Sequence, residues 1–156
     1  MNAMTEMSKF RHEKVLFVNN EKAGLKAIIA VHNTNLGPAI GGCRLFPYES
    51  YDAALFDVLR LSRGMSHKNA VAGLPHGGGK GVIIADPSQK TEAMFEAFAE
   101  AVEKLGGDYT ARRSCLIQVR CDLRKAGGRR SCNKRGCARK ADRIREFRGR
   151  SDTEEH

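Results

Sequence analysis

Between Leu74 and Pro87 the chain reads Leu-Pro-His-Gly-Gly-Gly-Lys-Gly-Val-Ile-Ile-Ala-Asp-Pro. A glycine run of this density admits backbone conformations closed to other residues and lets a ligand come close to the main chain. The apolar run Val82–Ala85 that follows reads as a short buried strand, closed by Asp86-Pro87. Lys80, between Gly79 and Gly81 at the mouth of that strand, is expected in a cleft with little water around it. With Lys68 as a second cation nearby, a lysine so placed can act as a general base near neutral pH.

Other readings of the same run stand beside this one. A phosphate-binding loop fails twice, because Leu74 stands where its first glycine belongs and Gly81 where Ser or Thr should follow the lysine. The dinucleotide fingerprint Gly-x-Gly-x-x-Gly does not occur in the segment. By spacing alone, a catalytic Lys80 and a plain turn both remain open.

The rest of the chain is of two kinds, joined near Ala111. The net charge of +9 invites a nucleic-acid reading, but residues 1–111 hold 12 basic and 12 acidic side chains and sum to zero. Residues 112–156 carry the whole excess, with 12 arginines and the cysteines Cys115, Cys121, Cys132 and Cys137. That tail has weak apolar periodicity and too few aliphatic side chains to offset the entropy of ordering, so it is expected to be disordered. Its cysteine spacing lacks the paired knuckle of a zinc site, and Phe147 is its only aromatic for stacking on bases. A noncatalytic basic module that binds nucleic acid or zinc through 112–156 is the alternative if the tail is genuine. No stretch has signal-peptide or membrane-spanning character, and Cys43 is the single cysteine of the body; a cytoplasmic protein with no membrane partner is expected.

Within the body, Val15–Val18 and Leu25–Val31 read as two strands of a hairpin, with Asn19-Asn20 as the turn signal. Gly41-Gly42 follow Ala39-Ile40, and paired glycines there mark a bulge or a close backbone approach. Ser50 is a candidate N-cap for a helix whose apolar face is Ala54, Val58, Leu61 and Met65, with Leu55 beside them; Ser66-His67-Lys68 closes it. His67 is expected to be partly packed, Lys68 is read as a solvated helix-end charge on these grounds alone, and Arg44 as an ion-pair partner. Thr91 can cap a second helix reaching Leu105, with Met94, Phe95, Phe98, Ala101 and Val102 in its core-facing stripe. Tyr109–Ala111 looks like the start of a further strand.

Three ordered blocks give these pieces a common frame. Gly37-Pro-Ala-Ile-Gly-Gly-Cys-Arg44, Arg63-Gly-Met-Ser-His-Lys-Asn-Ala70 and Leu74–Pro87 resemble, in the same order, three blocks of the glutamate/leucine/phenylalanine/valine dehydrogenase family. The resemblance runs from about Leu16 to Ala111. It implies an α/β domain, a sheet flanked by helices, that binds substrate and makes subunit contacts through its early strands; a homo-oligomer follows. It implies Lys80 as the catalytic base, Lys68 as the ligand of the substrate's α-carboxylate, Gly41 and Gly42 as backbone lining the pocket, and Ile40 and Met65 at the substrate side chain. Members acting on glutamate carry lysine at the position of Ile40, so the resemblance implies an apolar L-amino acid or its 2-oxo acid here, with NAD as cofactor. Where the family continues with a Glu-Asp pair that includes its second catalytic group, this chain has Arg112-Arg113. The expectation is a substrate-binding domain over 1–111, truncated, without the cofactor domain and inactive alone, followed by a tail of the kind an out-of-frame reading of a gene produces.

Overall fold

The computed structural model of the chain describes residues 2–111. The expectations for 112–156 (a disordered tail, its four cysteines, nucleic-acid or zinc binding, and Arg112-Arg113 in place of an acidic pair) lie outside the described residues.

The first element, α1 (Ala3–Phe10), begins at Asn2, whose side chain accepts hydrogen bonds from the Met4 and Thr5 amides. Its apolar side chains Ala3, Met7 and Phe10 recur at spacings of four and three and pack against the core under α2. The hairpin is present as β1 (Lys14–Asn20) and β2 (Leu25–Asn33), paired antiparallel from Lys14↔Val31 to Asn20↔Leu25. Its turn is not Asn19-Asn20, which both stay in the ladder. The turn falls at residues 21–24, where Gly24 takes a left-handed φ of 63° that other residues avoid.

Two short strands follow, β3 (Ala39–Gly41) and β4 (Cys43–Phe46), and then α2 (Tyr51–Val71). Ser50 caps α2 by accepting from the Ala53 amide at 3.1 Å. The helix runs three residues past Lys68 to Val71, and Lys68 lies exposed in its last turn, as its reading as a helix-end charge expects. Next comes β5 (Gly77–Ile84), where the glycine run is itself strand and Lys80 is interior to it, not at its mouth. A single 3₁₀ turn at Pro87–Gln89, capped by Asp86, leads to α3 (Glu92–Glu103), which starts on the side chain of Thr91. The described residues end in β6 (Tyr109–Ala111).

These strands make one sheet in the order β1-β2-β5-β3-β6, with β4 also paired to β5. β2 meets β5 antiparallel, whereas β3 and β4 meet it parallel at Gly77-Gly78 and at Gly81–Ile84 respectively. They behave as one strand broken at Gly42. Alternate residues of β2 and β5 point to opposite faces. Ile28, Ala30 and Val82 pack under Ala54, Leu55 and Val58 of α2. On the other face Ala27, Ile29 and Ile83 pack against Phe95 and Phe98 of α3.

Glycine in the middle of a central strand needs a reason, since it packs nothing and costs backbone entropy. Here the reason is proximity. A Cβ on Gly81 would lie 2.5 Å from the Phe98 ring, one on Gly79 2.4 Å from the Tyr109 ring, and one on Gly78 2.2 Å from the Ser66 amide nitrogen. Both layers therefore close directly onto the backbone of β5.

Candidate functional site

Side-chain alternation places Lys80 on the α2 face, between Gly78, which meets Ser62 and Ser66, and Val82, which lies in the α2 core. Its neighbour across the β2–β5 ladder is Ala30. Ile40 is in register with Gly78 and shares that face. Lys80 and Ile40 are both half-buried.

The helix supplies the opposite wall. Asp57, Leu61, Met65 and Lys68 recur at spacings of four, four and three, which puts them on one flank of α2. That flank faces β4, because Asp57 bonds the Arg44 guanidinium at 3.0 Å. Asp57 also accepts from Tyr48 Oη at 2.6 Å and from Arg60 at 2.8 Å. Burial alone would raise the Asp57 carboxyl, but the bonds from Tyr48 and Arg60 and the charge of Arg44 outweigh it and hold the group below its usual range. Burial and the bond to Asp57 push the Tyr48 phenol up. This network pins β4 to α2 beside the site. Arg44 is thus an ion-pair partner, in agreement with its reading from sequence.

Met65 is half-buried and Lys68 exposed on the flank, above the half-buried Ile40 and Lys80 on the sheet. One face of the sheet thus carries Ile40 and Lys80, and the flank of α2 turned toward β4 carries Met65 and Lys68; we call the space between them the notch. Its chemistry suits a small molecule with a carboxylate at one end and an apolar side chain at the other.

Gly41 and Gly42 contribute differently. A Cβ on Gly41 would fall 1.6 Å from the Gly79 carbonyl oxygen, so only glycine lets the broken strand lie this close to β5. The Gly42 carbonyl accepts from the Gly81 amide at 3.1 Å and from Tyr109 Oη at 3.2 Å. The pair marks the break between β3 and β4, directly after Ile40.

The lower half of α2 departs from the expected apolar face. Its buried positions are Ser62, Ser66 and Asn69, while Leu61 and Met65 are only half-buried. Small polar residues are needed where the helix rests on Gly78. Asn69 donates to the Gly77 carbonyl at 2.7 Å and ties the helix end to the start of β5. The signal was available as a polar stripe at spacings of four and three, in line with Leu55 and Val58. His67 is exposed rather than packed.

A separate cleft of about 310 Å³ lies near the start of α2, bounded by Phe17, Lys26, Ile28, Tyr51 and Ile84. It includes none of the six candidate residues, and the Lys26 ammonium there already donates to Tyr51 Oη at 3.1 Å. The candidate residues lie elsewhere, on the sheet face and the α2 flank described above. Among the described residues no group of three His, Cys, Asp or Glu side chains could hold a metal ion, and no helix is long and apolar enough to cross a membrane.

Residues 12–114 match the family model described as Glu/Leu/Phe/Val dehydrogenase, dimerisation domain. The chain is similar to phenylalanine dehydrogenase of Bacillus thermotolerans, 57% identical over 99 residues covering 63% of this chain and 26% of the relative. It is similar to leucine dehydrogenase of Bacillus subtilis (strain 168), 52% identical over 110 residues covering 70% of this chain and 30% of that one. The solved structure of L-tryptophan dehydrogenase from Nostoc punctiforme resembles it with a TM-score of 0.68 at 45% identity, over 70% of this chain and 33% of that chain. The chain therefore spans about a quarter to a third of the length of these relatives.

Proposed function

This chain belongs to the Glu/Leu/Phe/Val dehydrogenase family, and from that premise we propose that residues 1–111 hold the substrate of an enzyme that oxidatively deaminates apolar L-amino acids. The overall reaction takes an L-amino acid, water and an oxidised nicotinamide cofactor to a 2-oxo acid, ammonium, the reduced cofactor and a proton. Lys68 binds the α-carboxylate by a charge-assisted bond, and the Lys80 amine takes and returns the proton exchanged with water and the substrate nitrogen. Ile40 and Met65 meet the substrate side chain, and Gly41-Gly42 bring the backbone to its edge. A second carboxylate placed against Ile40 would cost several kcal/mol, which favours an apolar side chain. The single observation that carries this reading is that Lys80 and Ile40 share the sheet face overlooked by the α2 flank bearing Met65 and Lys68.

None of the candidate site residues is assigned to NAD, and we expect residues 1–111 by themselves to bind substrate without turning over cofactor. The exposed edge of β1, with Phe17 turned outward, is where the family's dimerisation role would be exercised in a homo-oligomer. Calorimetric titration with 4-methyl-2-oxopentanoate and with 2-oxoglutarate tests the reading. The expected result is binding of the first at least about tenfold tighter than the second, a difference of about 1.4 kcal/mol. Equal affinity, or none for either, would remove it.

A further inference from the structure

Under the lower half of α2 lies a polar cluster that this chemistry does not use. His12, between α1 and β1, and His32, near the end of β2, are each only 9% exposed, and their rings meet edge to face at 4.9 Å. Each is bonded to a serine of α2, one turn apart. His12 Nε2 is 2.7 Å from Ser62 Oγ, and His32 Nδ1 is 2.7 Å from Ser66 Oγ.

The network fixes which atoms carry protons. Ser62 Oγ donates to the carbonyls of Val58 and Leu59, so it accepts from His12 Nε2–H. The lone pair of neutral His12 is then on Nδ1, which is buried without a partner. A second proton would put an unpaired N–H and a charge in the interior. His32 Nδ1 faces the Asn33 amide nitrogen at 2.9 Å as well as Ser66, so it is the acceptor of both. Protonation there removes the bond from Asn33 and reverses the one with Ser66, whose hydroxyl must then turn to accept. Burial favours the uncharged form of both rings, although the Phe10 backbone beside both and the Leu59 backbone beside His12 favour the proton.

The same two serines set the height of α2 over the sheet. A Cβ on Gly78 would lie 2.4 Å from Ser66 Oγ and 2.5 Å from the Ser62 carbonyl oxygen. Gly78 is two residues from Lys80, and Ser66 is two residues from Lys68.

We infer that His12 and His32 are positioning residues for the notch: as neutral rings they hold Ser62 and Ser66 against Gly78, and so set the spacing of Lys68 from Lys80, which acid would relax. The inference rests on the substrate-binding reading above only for its ligand. Burial first, and then the neighbouring His32, pushes His12 down from 6.5 to about 4; burial and then His67 lower His32. The other charges that reach the pair are Arg63 of α2, which opposes protonation of both rings, and Glu13 before β1, which favours it at His32. Glu13 is already committed to the amide and hydroxyl of Thr34 at 2.8 and 2.9 Å.

The test uses the full chain in nuclear magnetic resonance, titrated from about pH 7 to about pH 4, across the window between the free and buried histidine values. The Gly78 and Lys80 amide signals should follow the His12 ring, and affinity for 4-methyl-2-oxopentanoate should fall at least about threefold over the same range. In the double variant His12→Gln, His32→Asn, neutral groups replace the bonding nitrogens; binding near pH 7 should be kept and the acid loss should disappear. Amides of Gly78 and Lys80 that ignore the His12 midpoint would overturn the inference. So would an acid loss unchanged in the double variant, or a folded double variant that already binds weakly at neutral pH. Absence of binding at every pH would sink the substrate reading instead, and the amide titration would still decide the role of the histidines.

Discussion

The two faces of the sheet solve opposite problems. On the α3 face, Phe98 and Tyr109 sit on Gly81 and Gly79, and Phe98 is fully buried. That face is apolar and closed, and its core cluster holds no Asp, Glu, His, Lys or Arg. On the α2 face the apolar packing stops halfway along the helix, and beyond Leu59 the contact is made by serines, histidines and an asparagine. A closed apolar layer stabilises a fold but has nothing to offer a carboxylate. The interrupted layer leaves Lys80 half-buried and Lys68 free to meet a ligand, and it relies on hydrogen bonds to stay in place. A closed apolar contact and an open polar one are thus separated across one strand, β5.

The separation can be broken at its strongest point first. Phe98→Ala should cost about 3–5 kcal/mol in chemical denaturation, whereas Met65→Ala on the open flank should cost less than about 1 kcal/mol. Comparable losses would mean that the two faces do not differ in closure. Gly78→Ala comes next, at about 1–3 kcal/mol, because the added methyl meets backbone atoms of α2 that cannot step aside. Oxo-acid affinity should fall with it; a stable variant with normal affinity would uncouple helix height from the notch.

Acid gives a smaller and graded effect. His12 has its value lowered on folding, so the unfolded chain takes up the proton first. Its contribution to stability is therefore fully present above about pH 6.5 and is lost as the pH falls toward about 4, by roughly 2–3 kcal/mol at most. Urea midpoints of the chain and of His12→Gln, compared at about pH 7 and about pH 4.5, should converge in acid if the buried ring is the cause. Parallel decline would place the acid sensitivity elsewhere.

What was legible in the sequence follows the same division. The α3 stripe from Met94 to Ala101, the caps at Ser50 and Thr91, and the hairpin all show in periodicity and capping residues, because local pattern decides them. The glycine run does not read as strand, since glycine carries no strand signal; only the approach of Ser66, Tyr109 and Phe98 explains it. Ser62, Ser66 and Asn69 continue the line of Leu55 and Val58 by spacing, but their polar type hides them as core, since a contact to backbone distant in sequence buries them. The positions of Lys68, Lys80, Ile40 and Met65 were legible as types in ordered motifs. Their placement on the sheet face and on the flank of α2 was not, because it depends on the register of β3 with β5 and on the Arg44–Asp57 pair.

The central claim is that one lysine from each layer meets the same ligand, and labelled lysine tests it without any substitution. In the chain carrying ¹⁵N- and ¹³C-lysine, titration with 4-methyl-2-oxopentanoate should shift the side-chain signals of Lys68 and Lys80 together, with a common saturation. The side chains of Lys26, Lys90 and Lys104 should stay still. Shifts spread over the surface lysines, or a response of Lys68 without Lys80, would contradict the account.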